Sequence, residues 1–244
     1  MDPLNQFQIK TYIPLSFLGI DLSFTNASLF MVLSVGLFCV LSLLATRSCS
    51  LVPTKMQSLV ENTYTFLNTL LKEFCGEGGL KYFPYIFSLF IFVFFSNMVG
   101  LIPGAFTSTS QLVVTGTLAL IVFISVTAIG LLKHGFKFFR LFLPAGVPFY
   151  VMPILVPVEI LSYFMRPVSL SIRLFANMVA GHVMLKIFAS FAVMIAGTSF
   201  LPLSIVPLIV NTAVTFFEVV VALLQAYVFT ILSCIYLNDA LNLH

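Results

Sequence analysis

Long uncharged runs dominate the chain and predict helices that cross a membrane. A hydrocarbon core of ~30 Å needs roughly 20 mostly apolar residues for each helical crossing. Residues 22–46, 82–132, 187–217 and 219–238 contain no Asp, Glu, Lys or Arg. Runs of this length and composition predict an all-α integral membrane protein with about five membrane-crossing helices.

The remaining pattern divides the chain into segments. Residues 1–24 form a polar-to-mixed lead, and 25–47 are predicted to be the first transmembrane helix. In 53–74, apolar residues recur at helical spacing between charged ones, which predicts an amphipathic helix on the membrane surface. Residues 82–133 are expected to form a transmembrane hairpin, with a turn at Pro103–Gly104, and 134–148 a basic connection.

Residues 149–244 are expected to form a long helical hairpin. Its first apolar segment, 149–195, is more than twice as long as a perpendicular crossing requires. Such a segment must be broken, partly interfacial or steeply tilted.

Basic residues predict the orientation. Arg47, Lys55, Lys72 and Lys81 follow the first crossing, and Lys133, Lys137 and Arg140 follow the third. The loops at 103–110 and 197–202 contain no Lys or Arg. The positive-inside rule therefore places the N-terminus outside and the C-terminus, with the basic 134–148 connection, inside.

Composition excludes several functional classes. The net charge of +3 is small and scattered, which argues against a nucleic-acid partner. The 4 cysteines show no CxxC spacing, and the 3 histidines form no cluster along the sequence, so no metal or cofactor is expected. The N-terminus also lacks the features of a secretory signal.

Ionisable groups inside membrane helices are costly and are candidates for function. Glu159, Arg166 and Arg173 follow one another at seven-residue intervals, which places them within roughly 40° on one helix face. Asn177 extends that face. On the last helix, Asn211, Glu218 and Gln225 repeat the same interval.

His182 follows Arg173 by nine residues and should lie on the opposite side of its helix, where it could meet Glu218. Small residues near Arg173 would let another helix approach closely; they are Ser169, Ala176, Ala180 and Gly181.

Structural explanations compete with these roles. Glu159, Arg166 and Lys186 could extend their charged ends to the membrane surface. His182, Asn211 and Gln225 could serve only as hydrogen-bonding contacts between helices. Arg173 could belong to a purely structural ion pair.

Three strings resemble a known family. Residues 167–182 read PVSLSIRLFANMVAGH, residues 224–229 read LQAYVF, and residues 236–240 read YLNDA. These strings are similar to the signature and last helix of ATP synthase subunit a, the mitochondrial subunit 6. The resemblance covers nearly the whole chain and is strongest from Glu159 onward.

The resemblance implies a stator subunit of the Fo membrane sector that conducts protons through two half-channels. Arg173 takes the place of the family's essential arginine, Asn177 and Gln225 that of its polar neighbours, and His182 with Glu218 that of its acid/base pair. Glu159 and Asp239 are candidate exit groups.

The implied partners are a ring of c subunits that carry membrane carboxylates, the peripheral stalk, other Fo subunits and the lipid bilayer. The order of His182 and Glu218, with the chain ending, resembles mitochondrial forms and implies the mitochondrial inner membrane. The alternative is the alphaproteobacterial inner membrane.

Two other functional classes would require features of their own. The chain has no GxxxxGK[ST] loop, so it is expected to be a non-catalytic component and not a complete enzyme. A secondary transporter would show paired repeats and broken helices in both halves. A membrane-embedded hydrolase would need a nucleophile with a base, or metal ligands, inside the bilayer.

Overall fold

The computed structural model describes residues 8–14, 16–17, 20–21, 23–47, 53–102, 104–142, 150–197 and 205–242. Six α-helices account for most of these residues, which confirms the predicted all-α class. The helices are α1 (Asn26–Thr46), α2 (Lys55–Cys75), α3 (Phe83–Gly100), α4 (Leu112–His134), α5 (Met152–Ala196) and α6 (Ile205–Leu241). Short 3-10 segments occur at Glu77–Tyr82, Ser108–Ser110 and Gly135–Phe142.

Five of the six helices are long and apolar enough to cross a membrane, namely α1, α3, α4, α5 and α6. This agrees with the expectation of about five crossings. A helix satisfies its own backbone hydrogen bonds, so it can pass through lipid where water is absent. The protein is therefore an all-α, multi-pass membrane protein.

The amphipathic helix α2 has defined ends. The Thr54 hydroxyl accepts a hydrogen bond from the Gln57 backbone N–H at its start. Gly76 ends it with a φ of 65°, and the Gly76 N–H donates to the Lys72 carbonyl. Its buried side chains are Leu67, Leu70, Leu71 and Cys75. The Cys75 thiol donates to the Cys234 carbonyl of α6, at 3.2 Å.

The overlong segment is one uninterrupted helix. Helix α5 has 45 residues and contains Pro157 and Pro167 in its interior. At ~1.5 Å per residue it is about 68 Å long, roughly twice the hydrocarbon thickness. Of the three alternatives open from sequence, a break in the segment is therefore excluded.

Two short strand pairs precede α1 and were not predicted. The strands are β1 (Thr11–Ile13), β2 (Ser16–Phe17), β3 (Ile20–Asp21) and β4 (Phe24–Thr25). β1 pairs with β4 and β2 with β3, both antiparallel. The Asn26 N–H donates to the Lys10 carbonyl at 3.0 Å, so this region is joined to the first turn of α1.

The chain divides into two compact units. The first unit comprises Met1–Val40, Ile91–Val114 and Leu174–Ala226. The second comprises Leu41–Phe90, Thr115–Arg173 and Tyr227–His244. Each unit contains candidate functional residues of its own.

Candidate proton-translocation site

Glu218 is a buried carboxyl group of the first unit. Its exposure is 7%, and its Oε2 atom has no hydrogen-bond partner among the described residues. The carboxyl group lies against Gly181 of α5, where a Cβ atom would come within 2.9 Å of the Glu218 Cδ. The absence of a side chain at Gly181 therefore creates the space that Glu218 occupies. A buried polar atom without a partner calls for a functional explanation, such as exchange of a proton or contact with water.

His182, next to Gly181, is held by a hydroxyl group. Its Nε2 atom lies 2.8 Å from the Thr107 Oγ1, and the same hydroxyl donates to the Gly100 carbonyl at 3.3 Å. Within the described part of the chain, no hydrogen bond or ion pair joins His182 to Glu218. The expected pairing of these two residues is therefore not a direct contact, and their acid/base pairing stays a prediction.

The sequence predicts the loop at 103–110 that carries Thr107, but the hydroxyl residues of this loop were not among the predicted site residues. Its four hydroxyl residues, 107–110, are buried, with exposures of 1–4%. The Ser110 hydroxyl donates to the Thr107 carbonyl at 2.6 Å, and the Thr109 Oγ1 lacks a hydrogen-bond partner among the described residues. Four consecutive hydroxyl residues between two long apolar runs were the available signal, since burying hydroxyl groups is costly without a reason.

Arg166 and Asp239 form an ion pair in the second unit. The Arg166 Nη1 lies 2.8 Å from the Asp239 Oδ2, with side-chain exposures of 24% and 29%. The guanidinium carbon also lies 5.6 Å from the ring centroid of Tyr163 and 5.2 Å from that of Tyr236. These distances fit cation–π contacts. Arg166 therefore has a set of internal partners, and Asp239 is one of them.

Arg173 lies seven residues after Arg166 on α5 but has a different environment. It is exposed, and no ion pair to it is found in the described ranges. Ser169, one turn before it in the second unit, is exposed as well. In the first unit, Ala176 and Ala180 of α5 are also exposed, whereas Gly181 is partly buried against Glu218. Of the four small residues expected to face a partner helix, Gly181 therefore serves an internal contact.

The other predicted polar residues are partly exposed. They are Glu159 and Asn177 of α5, and Asn211 and Gln225 of α6. The Asn211 Oδ1 atom is buried without a hydrogen-bond partner among the described residues. A group of three or more His, Cys, Asp and Glu side chains that could hold a metal ion is not found in the part of the chain that the structure describes.

Fold and site together define the class: a multi-pass α-helical membrane protein with ionisable side chains inside its spanning helices, as ion-translocating proteins have. The chain belongs to the ATP synthase A chain family, whose sequence model matches residues 28–238. This confirms the resemblance seen in the sequence.

Relatives similar over their full length are named ATP synthase subunit a. The protein of Parvibaculum lavamentivorans is 50% identical over 99% of this chain and 94% of its own length. Those of Rhodospirillum rubrum and Hyphomonas neptunium are 48% and 47% identical, over 99% of this chain and 99% and 96% of their own lengths. These relatives are bacterial, so they favour the alphaproteobacterial inner membrane over the mitochondrial one that the resemblance implied.

Proposed function

We propose that this chain is the stator subunit of the Fo membrane sector that carries protons to and from a ring of c subunits. It couples proton flow to rotation and ATP synthesis and is not itself catalytic. Other Fo subunits and the peripheral stalk hold it against the rotating ring. The family and the relatives' names support this assignment.

The observation that carries the proposal is the environment of Arg173. This residue is exposed in a helix that is long and apolar enough to span a membrane, although a charge in contact with lipid is costly. Ser169, one turn before Arg173 in the same unit, is exposed and small, so another helix can approach this part of α5. A partner helix that carries a carboxylate would neutralise the charge and cover this surface.

Arginine suits a barrier between two proton paths. Its guanidinium stays protonated in proteins, so it attracts an ionised carboxylate without itself passing a proton on. A ring carboxylate would release its proton before pairing with Arg173 and take up another after leaving it.

Entry and exit residues follow from their places in the two helices. His182 and Glu218 serve the entry path from the outer side, and Asn177 and Gln225 take the place of the polar neighbours of the family's essential arginine. Glu159 and Asp239 serve the exit path on the inner side. The Arg166–Asp239 ion pair supports placing Arg166 beside the exit path without giving it a proton-carrying role.

The bacterial relatives support an alphaproteobacterial-type inner membrane as the location. The mitochondrial inner membrane stays a prediction from the order of His182 and Glu218 and from the chain ending. In either case the basic loops lie on the side where ATP is made, with α2 on the membrane surface.

The first test is Glu218→Gln in the assembled synthase. The amide keeps the shape of the side chain but cannot exchange a proton, so proton entry slows and ATP synthesis falls without uncoupling. Glu73→Gln, at an exposed carboxyl group of α2, is the matched control and leaves both rates unchanged.

The measurement is ATP-driven proton pumping and ATP synthesis in vesicles, normalised to assembled complex. If Glu218→Gln pumps at the wild-type rate across physiological pH, Glu218 is a structural residue. If the chain purifies without a c-type ring and exchanges a solute in liposomes, the assignment as an Fo subunit is wrong.

A further inference from the structure

The Thr107 hydroxyl connects three elements of the first unit. It lies in the loop after α3, contacts the last residue of α3 through the Gly100 carbonyl, and contacts α5 through His182 Nε2. Thr107 is itself buried, with an exposure of 4%. Its hydroxyl is therefore enclosed by the two groups that it binds.

The close approach of Thr107 to α3 depends on Gly100. A Cβ atom at Gly100 would come within 2.6 Å of the Thr107 Cγ2 and 2.8 Å of its Oγ1, which is too close for a real contact. Gly104, with a φ of 88°, turns the chain back between these two residues. The loop geometry thus directs the hydroxyl group to the end of α3.

Hydrogen-bonding capacity fixes the direction of both bonds. The Gly100 carbonyl can only accept, it is buried, and it lies at the end of a helix where intrahelical donors are missing. The single hydroxyl proton of Thr107 therefore goes to Gly100. Toward His182 the same oxygen can then only accept, which requires a proton on Nε2.

From this geometry we infer that Thr107 is a positioning residue that keeps His182 protonated at Nε2 and leaves Nδ1 as the nitrogen that exchanges protons. The inference rests on the role proposed for His182. A proton arriving from the entry side binds Nδ1 and makes an imidazolium, which still donates from Nε2 to Thr107. The same Nδ1–H bond then breaks and this proton passes to the next acceptor. The Nε2 proton stays on Nε2 throughout.

The test is passive proton flux through the membrane sector, measured in vesicles after the catalytic head is removed and normalised to assembled complex. Thr107→Val keeps the β-branched shape but removes the hydroxyl group, and it lowers the flux about tenfold, the effect of losing one orienting hydrogen bond. Thr107→Ser restores most of the flux. Thr65→Val in α2, which removes a hydroxyl that donates to the Glu61 carbonyl at 2.9 Å, is the matched control and leaves the flux unchanged.

A double-mutant cycle separates positioning from general structural support. If Thr107 acts through His182, then Thr107→Val causes no further loss of flux in a His182→Gln background. The ¹⁵N spectrum of histidine-labelled complex, taken as the difference between wild type and His182→Gln, shows Nε2 protonated. In Thr107→Val that tautomer preference is lost.

Three results would overturn the inference. The first is wild-type flux in Thr107→Val, and the second is that Thr107→Val lowers the flux by the same factor in the His182→Gln background as in the wild type. The third is that Thr107→Val and Thr107→Ala both fail to assemble while Thr107→Ser assembles. Wild-type flux in His182→Gln would instead overturn the proposed role of His182. If His182→Gln lowers the flux but Thr107→Val does not, only the role of Thr107 is overturned.

Discussion

At the scale of single residues, some of the described glycines leave room for a side chain from another helix or loop, and any other residue there would disturb the contact. Gly181 leaves room for the Glu218 carboxyl group, Gly100 for the Thr107 hydroxyl, and Gly130 of α4 for the Phe138 ring. Two of these three contacts involve the polar groups assigned to proton entry. These side chains come from other helices or loops. The absence of a Cβ at Gly181 and Gly100 therefore determines where the Glu218 carboxyl group and the Thr107 hydroxyl lie.

Gly181→Ala is expected to lower proton flux several-fold while the subunit still assembles. The new methyl group collides with the end of the flexible Glu218 side chain, so the carboxyl group moves and the helices do not. The matched control is Gly36→Ala in α1, where a Cβ meets nothing within 4 Å. It should leave the flux unchanged and, if anything, stabilise the helix by up to ~1 kcal/mol. Equal flux in both variants would show that the position of Glu218 does not matter for conduction.

At the scale of helices and strands, the sequence predicts the elements whose structure depends only on their own residues. The five spanning helices were predictable because each must be long, apolar and internally hydrogen-bonded. The strand pairs before α1 were missed because β2, β3 and β4 have 2 residues each, too few to show alternation. The continuity of α5 does not follow from its sequence, because a segment more than twice the length of a perpendicular crossing can be broken, partly interfacial or tilted, and its two interior prolines favour a break.

The contacts of the site were less predictable, since they join residues far apart in the sequence. Thr107 and His182 are 75 positions apart, and Arg166 and Asp239 are 73 apart. Helical periodicity gives the face on which a residue lies but not the partner on another helix. Recognition of Arg173, His182 and Glu218 depended on the cost of ionisable groups in lipid and on the family strings, whereas Thr107 gave only the weaker signal of a buried hydroxyl run.

The end of α6 is held by the end of α4. Lys133 Nζ and His134 Nε2 both donate to the Leu241 carbonyl, at 2.9 and 3.0 Å. Cations are favourable there because the last carbonyl groups of a helix lack intrahelical partners and carry partial negative charge.

Lys133→Met is expected to destabilise the membrane sector by about 1 kcal/mol. Lys137→Met, at an exposed residue of the following 3-10 segment, is the control and should lower the stability of the membrane sector by less. Thermal denaturation of the solubilised synthase measures the difference. Identical denaturation midpoints for the two variants would show that the contact with Leu241 adds nothing to stability.

At the scale of the whole molecule, the described residues provide Arg173 with no counter-ion. No ion pair to Arg173 is found within the described residues, whereas Arg166, seven residues earlier, has Asp239. The proposed function assigns the missing carboxylate to a second protein that moves past this helix. Arg166→Ala is therefore a matched control for Arg173→Ala, because it removes the same side chain from the same helix at a position with an internal partner.

The most direct test compares passive proton flux with ATP synthesis in vesicles that contain Arg173→Ala, Arg173→Lys or Arg166→Ala. Arg173→Ala should abolish coupled synthesis and allow protons to cross the membrane sector after the catalytic head is removed, because no fixed cation prevents a protonated ring carboxyl group from passing between the paths. Arg173→Lys should also lose synthesis but leak less, since lysine keeps a charge that it can shed when desolvated. Arg166→Ala should show no such leak. An Arg173→Ala sector that assembles normally and still synthesises ATP near the wild-type rate would contradict the claim that Arg173 separates two proton paths.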